Sequence, residues 1–204
     1  MTERFTPIAD ARPVDAAWPA AVWPVADDVV LEGQLVRLTR TSVDDADALA
    51  AALADESIWT FAVMTQPDAQ GWRERIQGLR ENAPNFCQWT VTLVQPINDV
   101  AAGTVVGTTA YLETSAGDAR TEVGATSYDP RVWGTQVNPE CKLLLLTYAF
   151  ETLHMGRVQL KTDVRNIRSQ QAIARLGAQF EGVLRRYQRR FDGTVRDKIG
   201  RAHV

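Results

Sequence analysis

Apolar and polar positions first fall into a regular pattern at Leu35. Leu35-Val-Arg-Leu-Thr39 has the two-residue period of a half-buried strand. Ser42-Val-Asp-Asp45 carries the reciprocal capping pattern that opens a helix, with Leu49 and Leu53 on its inner face. Thr65-Gln-Pro-Asp68 opens a second helix, on which Trp72, Ile76, Leu79 and Ala83 recur at helical spacing. Strand-like runs follow at 88–94, 104–112 and 121–128, separated by turn-rich loops. Beyond them the period lengthens again. A helix over 138–154, with Asn138 as N-cap and Pro139 at the first helical position, carries a stripe of Leu143, Leu146, Phe150 and Leu153. A strand at 157–163, a short helix near 167–176 closed by Gly177, and a long strand over 179–191 complete the series, with Asp192-Gly193 as a hairpin turn.

Strands interrupted by helices in this order predict an α/β (α+β) fold with a mixed, mostly antiparallel sheet and at least one crossover. The first 34 residues read differently. Pro7, Pro13, Pro19 and Pro24 preclude a long helix, and Trp18 and Trp23 suit an arm laid on the body. The expected division is an arm over 1–34 and one domain over 35–197. Residues 198–204, Lys-Ile-Gly-Arg-Ala-His-Val, lack strand alternation and resemble the in-frame translation of a common sequencing adapter. They are expected to be a non-native tail that leaves the final strand incomplete.

Composition narrows the chemistry. The chain has 204 residues, is 45% hydrophobic and 23% charged, and so can bury a core. Two cysteines and two histidines exclude a disulfide scaffold and a multi-histidine metal centre. A net charge of −3 disfavours a nucleic-acid surface. No secretion signal or membrane-length apolar run opens or crosses the sequence, which predicts a cytoplasmic protein without membrane attachment.

One junction stands out chemically. Arg131-Val-Trp-Gly-Thr-Gln-Val-Asn138 joins a strand to a helix, and backbone amides at a helix start suit a diphosphate. Arg131-Val-Trp-Gly134-Thr-Gln136 resembles the Gln/Arg-x-x-Gly-x-Gly/Ala pattern of the GNAT (Gcn5-related) N-acetyltransferases. Glu122-Val-Gly124, Tyr128-Asp-Pro130, Asn166-Ile-Arg-Ser169, Ala172 to Ala178 and Phe180-Glu-Gly182 follow the same family in order, closest to the branch that acetylates ribosomal-protein N-termini. Gln136 departs from the pattern, since the family places glycine or alanine there.

The resemblance implies a sheet of about six to seven strands flanked by about four helices. It implies direct attack of a primary amine on acetyl-CoA in a ternary complex, with no metal. Arg131, Val132, Trp133, Gly134, Thr135, Gln136, Val137 and Asn138 would hold the diphosphate, and 123–127 with Asn166 the pantetheine arm. Glu122 is the first candidate for the base, with Glu181 and Asp163 as alternatives. Ser169 is the candidate donor to the leaving thiolate, and Tyr187 a second acid. The acceptor is a small molecule or a protein N-terminus, and the enzyme a monomer or homodimer. A catalytically silent acyl-CoA sensor is the alternative. The Arg185, Arg186, Arg189 and Arg190 cluster reads as a solvated strand face.

Overall fold

The strand and helix periods resolve, in a computed structural model, into eight strands and four α-helices; residue 7 and residues 17–203 are described. Residues 1–6 and 8–16 of the proline-rich arm, Pro13 included, and Val204 lie outside the described residues. The strands are β1 (Val30–Glu32), β2 (Val36–Arg40), β3 (Cys87–Leu93), β4 (Val105–Ser115), β5 (Arg120–Tyr128), β6 (Arg157–Asp163), β7 (Gln179–Arg189) and β8 (Val195–His203). The helices are α1 (Ala46–Ala52), α2 (Ala69–Asn82), α3 (Val137–Thr147) and α4 (Ile167–Arg175). All strands share one sheet, in the order β1-β2-β3-β4-β5-β6-β8-β7.

The local signals explain most of these elements. Ser42 and Asp45 form the capping box, and Asp68 caps α2 by accepting from the Gly71 amide at 2.8 Å. Trp72 and Ile76 then pack with Leu49 of α1 and Leu53 just after it in a separate apolar cluster. Helix α3 differs from its expected form. It starts at Val137, with Gln136 in the cap position, so Pro139 falls at the third helical residue. That is tolerated because the first amides of a helix have no intrahelical acceptor to lose. Its inner face is Val137, Cys141, Leu145, Ala149 and Leu153, a stride of four. Leu143, expected inside, is 64% exposed. The long stride continues through a π-helical turn at Tyr148–Thr152, which keeps the same face inward.

Two expectations about the ends are corrected. Residues 30–32 are strand, not arm, pairing antiparallel with β2. Trp23 of the preceding segment does lie on the body: its Nε1 donates to the Pro84 carbonyl at 2.7 Å and its ring meets Tyr111 edge-on. Trp18 stays 63% exposed. The final strand is not incomplete. β8 is paired along both edges, to β6 from Val158↔His203 to Asp163↔Lys198 and to β7 across the Asp192-Gly193 hairpin. An internal strand is held by two hydrogen-bonded ladders, so weak side-chain alternation does not prevent it. The strand count is accordingly eight, one more than the upper expectation.

The feature that positions a site is the pairing of β5 with β6. It is the parallel one in the sheet, and it covers only Arg120↔Arg157, Thr121↔Val158 and Glu122↔Gln159. Beyond Glu122 the strands part, which leaves the β5 edge over 123–128 without a paired strand on that side among the described residues. Glu140 fixes α3 against the other end of the sheet. Its carboxylate accepts from the Gln34, Leu35 and Val36 amides at 2.8, 2.8 and 2.9 Å, clasping the β1–β2 turn.

Candidate active site

The parted strands open a cleft of about 620 Å³. Val123, Thr126 and Ser127 of β5 form one wall, the 132–139 junction its mouth, and Asn166, Ser169, Ala172 and Ile173 of α4 the facing wall. Lys142 lines it from α3.

The mouth is built by local hydrogen bonds. Asp129 caps a 3-10 turn at Pro130–Val132 and also takes the Arg131 guanidinium, at 2.6 Å to Nη2. The Arg131 charge is thus already partnered. Trp133 is pinned by donation from its Nε1 to the Tyr128 carbonyl at 2.9 Å, and the Arg168 guanidinium stacks 3.4 Å from the Trp133 ring centre. Gly134 has φ 75°, a left-handed conformation that favours glycine. A Cβ there would meet no protein atom within 4 Å, so what it would obstruct is the cleft mouth itself. Gln136 has φ −77° and ψ −2°, an ordinary right-handed geometry, so its backbone does not require the family's glycine. The Thr135 hydroxyl accepts from the Val137 amide at 3.3 Å. The Gly134, Gln136 and Asn138 amides have no acceptor among the described residues. Free amides at a helix start, with exposed surface before them, suit a diphosphate.

The α4 wall is equally local. Asn166 caps the helix, accepting from the Ser169 amide at 3.0 Å, and both residues line the cleft. Arg168, which no sequence signal marks on its own, lies within the same Asn166-Ile-Arg-Ser169 motif and links this wall to the mouth.

Glu122 and Tyr187 belong elsewhere. Glu122 is 2% exposed, is absent from the cleft lining, and pairs with Lys161 Nζ at 2.7 Å. Burial raises its pKa although Lys161 opposes the shift. Lys161 also donates to Glu113 and to the Tyr187 hydroxyl, each at 2.5 Å, and its own pKa is raised by the two carboxylates against the desolvation that lowers it. Tyr187 is 40% exposed, with the Lys161 and Lys198 ammonium groups 4.6 and 5.0 Å from its ring centre. Structure therefore brings Glu122 and Tyr187 together through Lys161, and Ser169 with Asn166 in the cleft. Asp163 is fully buried and held by Arg190, Arg165 and Arg196. Arg190 is thus not on a solvated face: it is drawn in by the carboxylate 27 residues away. Glu181 is neutralised by Arg157, which lowers its pKa. Cys141 is buried and its thiol is pushed up to about 11 by desolvation, so it is packing and not a reactive thiolate.

A mixed sheet split beside a strand–loop–helix turn of free amides is the architecture of an acyl-group transferase. The chain belongs to the GNAT acetyltransferase family: the model of the Acetyltransferase (GNAT) domain matches residues 36–179. Solved structures agree. A T. thermophilus protein provisionally described as an acetyltransferase is 31% identical, with 90% of this chain and 92% of that one aligned at a TM-score of 0.76. A GCN5-related N-acetyltransferase from Brucella melitensis is 21% identical, over 92% and 82% of the two chains at 0.80. The ribosomal-protein-S5-alanine acetyltransferase of Vibrio fischeri is 19% identical, over 87% and 97% at 0.71. The last two share the fold. No curated protein matches the chain.

Proposed function

We propose that the protein moves an acetyl group from acetyl-CoA to a primary amine, a protein N-terminus or small molecule, by direct attack in a ternary complex. The observation that carries this reading is the open β5 edge beside the amide-rich mouth. The Gly134, Gln136 and Asn138 amides hold the diphosphate, with Arg168 beside them at Trp133. The pantetheine arm lies along 123–127 as an added strand, faced by Asn166. The Ser169 hydroxyl donates to the sulfur as it leaves. The acceptor's proton passes by way of water to the solvent-reaching Tyr187 and Glu113 of the group that Lys161 joins to buried Glu122, which acts as a unit because each is bonded to Lys161. Likeness to the ribosomal-protein acetyltransferases supports a protein N-terminus as one acceptor class.

The test is release of free CoA thiol when purified protein meets acetyl-CoA and a panel of amines and N-terminal peptides. Acetyl-CoA-dependent release with at least one acceptor is expected. Thermal stabilisation by CoA with no turnover on any amine would instead favour a silent sensor of the same fold.

A further inference from the structure

Lys142 is a buried charge that the roles above do not use. Its side chain leaves α3 five residues after the helix start, lines the cleft and is 5% exposed. Its Nζ donates to the Thr109 hydroxyl at 3.1 Å and to the Thr126 hydroxyl at 2.7 Å. An ammonium carries three N–H groups, so one remains without a protein acceptor among the described residues.

No counter-ion accompanies it among the described residues. The groups that bear on its ionisation are burial and the neighbouring Cys141 thiol; no carboxylate enters. Glu140, two residues away, is committed to the β1–β2 turn, and Asp129 to Arg131. The other charged side chains lining the cleft, Arg168 and Arg175, have the same sign. Desolvation pushes the Lys142 ammonium down to about 8. A buried cation with only hydroxyl partners is costly to keep, and a ligand or a reacting group is the remaining source of negative charge.

We infer that Lys142 is the group that meets the negative charge developing on the thioester sulfur and protonates the departing thiolate. This rests on the proposed placement of acetyl-CoA along β5. The diphosphate is met at the mouth by neutral amides and Arg168. The pantetheine arm, which would pass Thr126, is uncharged, so the cation bonded to that threonine has nothing to meet along the arm in the ground state. Charge arises there only during reaction. An interaction made only then accelerates the chemical step. Ser169 approaches the same channel from α4, and Lys142 from α3.

The step balances. The acceptor nitrogen forms the C–N bond, the C–S bond breaks, and its electron pair goes to sulfur. The Lys142 ammonium gives that sulfur a proton. Of the two protons the acceptor ammonium gives up, one restores Lys142 and the other leaves through the Glu122 group to solvent.

The experiment compares CoA with desulfo-CoA, which lacks the sulfur, by calorimetric titration at pH 8. The wild type should bind CoA about tenfold more tightly. Lys142→Met, an apolar side chain of similar length, should bind both equally and lose roughly 100-fold in kcat with acetyl-CoA. Lys142→Gln, which keeps a hydrogen-bond donor without the charge, should behave like the methionine variant. Equal weakening of both ligands in the variants would make Lys142 a holder of the pantetheine arm and overturn the inference. An unchanged CoA preference in the variants would do the same. If the wild type binds neither ligand, the cofactor assignment fails and takes this inference with it.

Discussion

Two lysines buried within the same fold have opposite surroundings. Lys161 on β6 sits among Glu113, Glu122 and the Tyr187 hydroxyl, and its charged form is reinforced. Lys142 on α3 has two threonine hydroxyls and no carboxylate, and its charged form is disfavoured. Asp163, held by three arginines, repeats the Lys161 situation with signs exchanged. The lesson is that charge compensated within the protein serves to join strands, whereas uncompensated charge marks where a ligand completes the structure. The saturated groups bridge strands, Lys161 on β6 to Glu113 on β4, Glu122 on β5 and Tyr187 on β7, and Asp163 on β6 to Arg196 on β8. The unsaturated one faces the cleft.

The comparison can be broken at its strongest point first. Asp163→Ala removes the shared partner of Arg190 and Arg196 and leaves buried guanidinium groups unpaired. Stability should fall by about 3–5 kcal/mol in urea unfolding, whereas Lys142→Met should cost little or nothing. Similar losses in the two variants would erase the distinction.

A second measurement follows the pH dependence of wild type and Lys142→Met. The Lys142 pKa is about 8 when folded and the ordinary value is 10.5. Between those values the unfolded chain binds the extra proton, so this group's contribution to stability rises with pH across the window. Buried Cys141, Cys87, Tyr111 and Tyr128, all raised by desolvation, pull the other way above about pH 9. Subtracting Lys142→Met from wild type cancels them. Any advantage of the methionine variant at pH 7 should shrink by roughly 3 kcal/mol by pH 10.5. A constant difference would mean that Lys142 is not desolvated.

Ser169→Ala sharpens the picture from the facing wall. Turnover should drop about 10- to 1000-fold in steady-state assays, with CoA affinity preserved. A wild-type rate would leave Ser169 as a helix-start residue and place the whole leaving-group role on Lys142. Gly134→Val tests the mouth, where neutral amides and not lysines are held to do the binding. CoA affinity should weaken at least tenfold, about 1.4 kcal/mol, by titration calorimetry. An unchanged affinity would remove the loop from the account.

What the sequence made legible is mostly local. Ser42 with Asp45, Asp68 with Gly71, and Asn166 with Ser169 are contacts between residues three apart, and the structure contains each. The strand–loop–helix junction was readable for the same reason. The Arg190 and Asp163 pair spans 27 residues and Lys142 and Thr109 span 33, and neither spacing has a period that betrays it. Within Glu140-Cys-Lys-Leu143 the lysine reads as the surface residue and the leucine as core. Burial inverts them because the face of α3 is chosen by β4 and β5, not by the helix alone. Strand β8 escaped for a related reason: its place between β6 and β7 is a property of the sheet order.

The Glu140 clasp gives the molecule a reporter with its own clock. One carboxylate on α3 holds the Gln34, Leu35 and Val36 amides, so those three protons share a single gate to solvent. Their deuterium uptake should be correlated and set by how often α3 lifts from the β1–β2 turn. A ligand seated at the start of the same helix makes that lifting rarer. Exchange at 34–36 should then slow on the far side of the sheet, where nothing has bound.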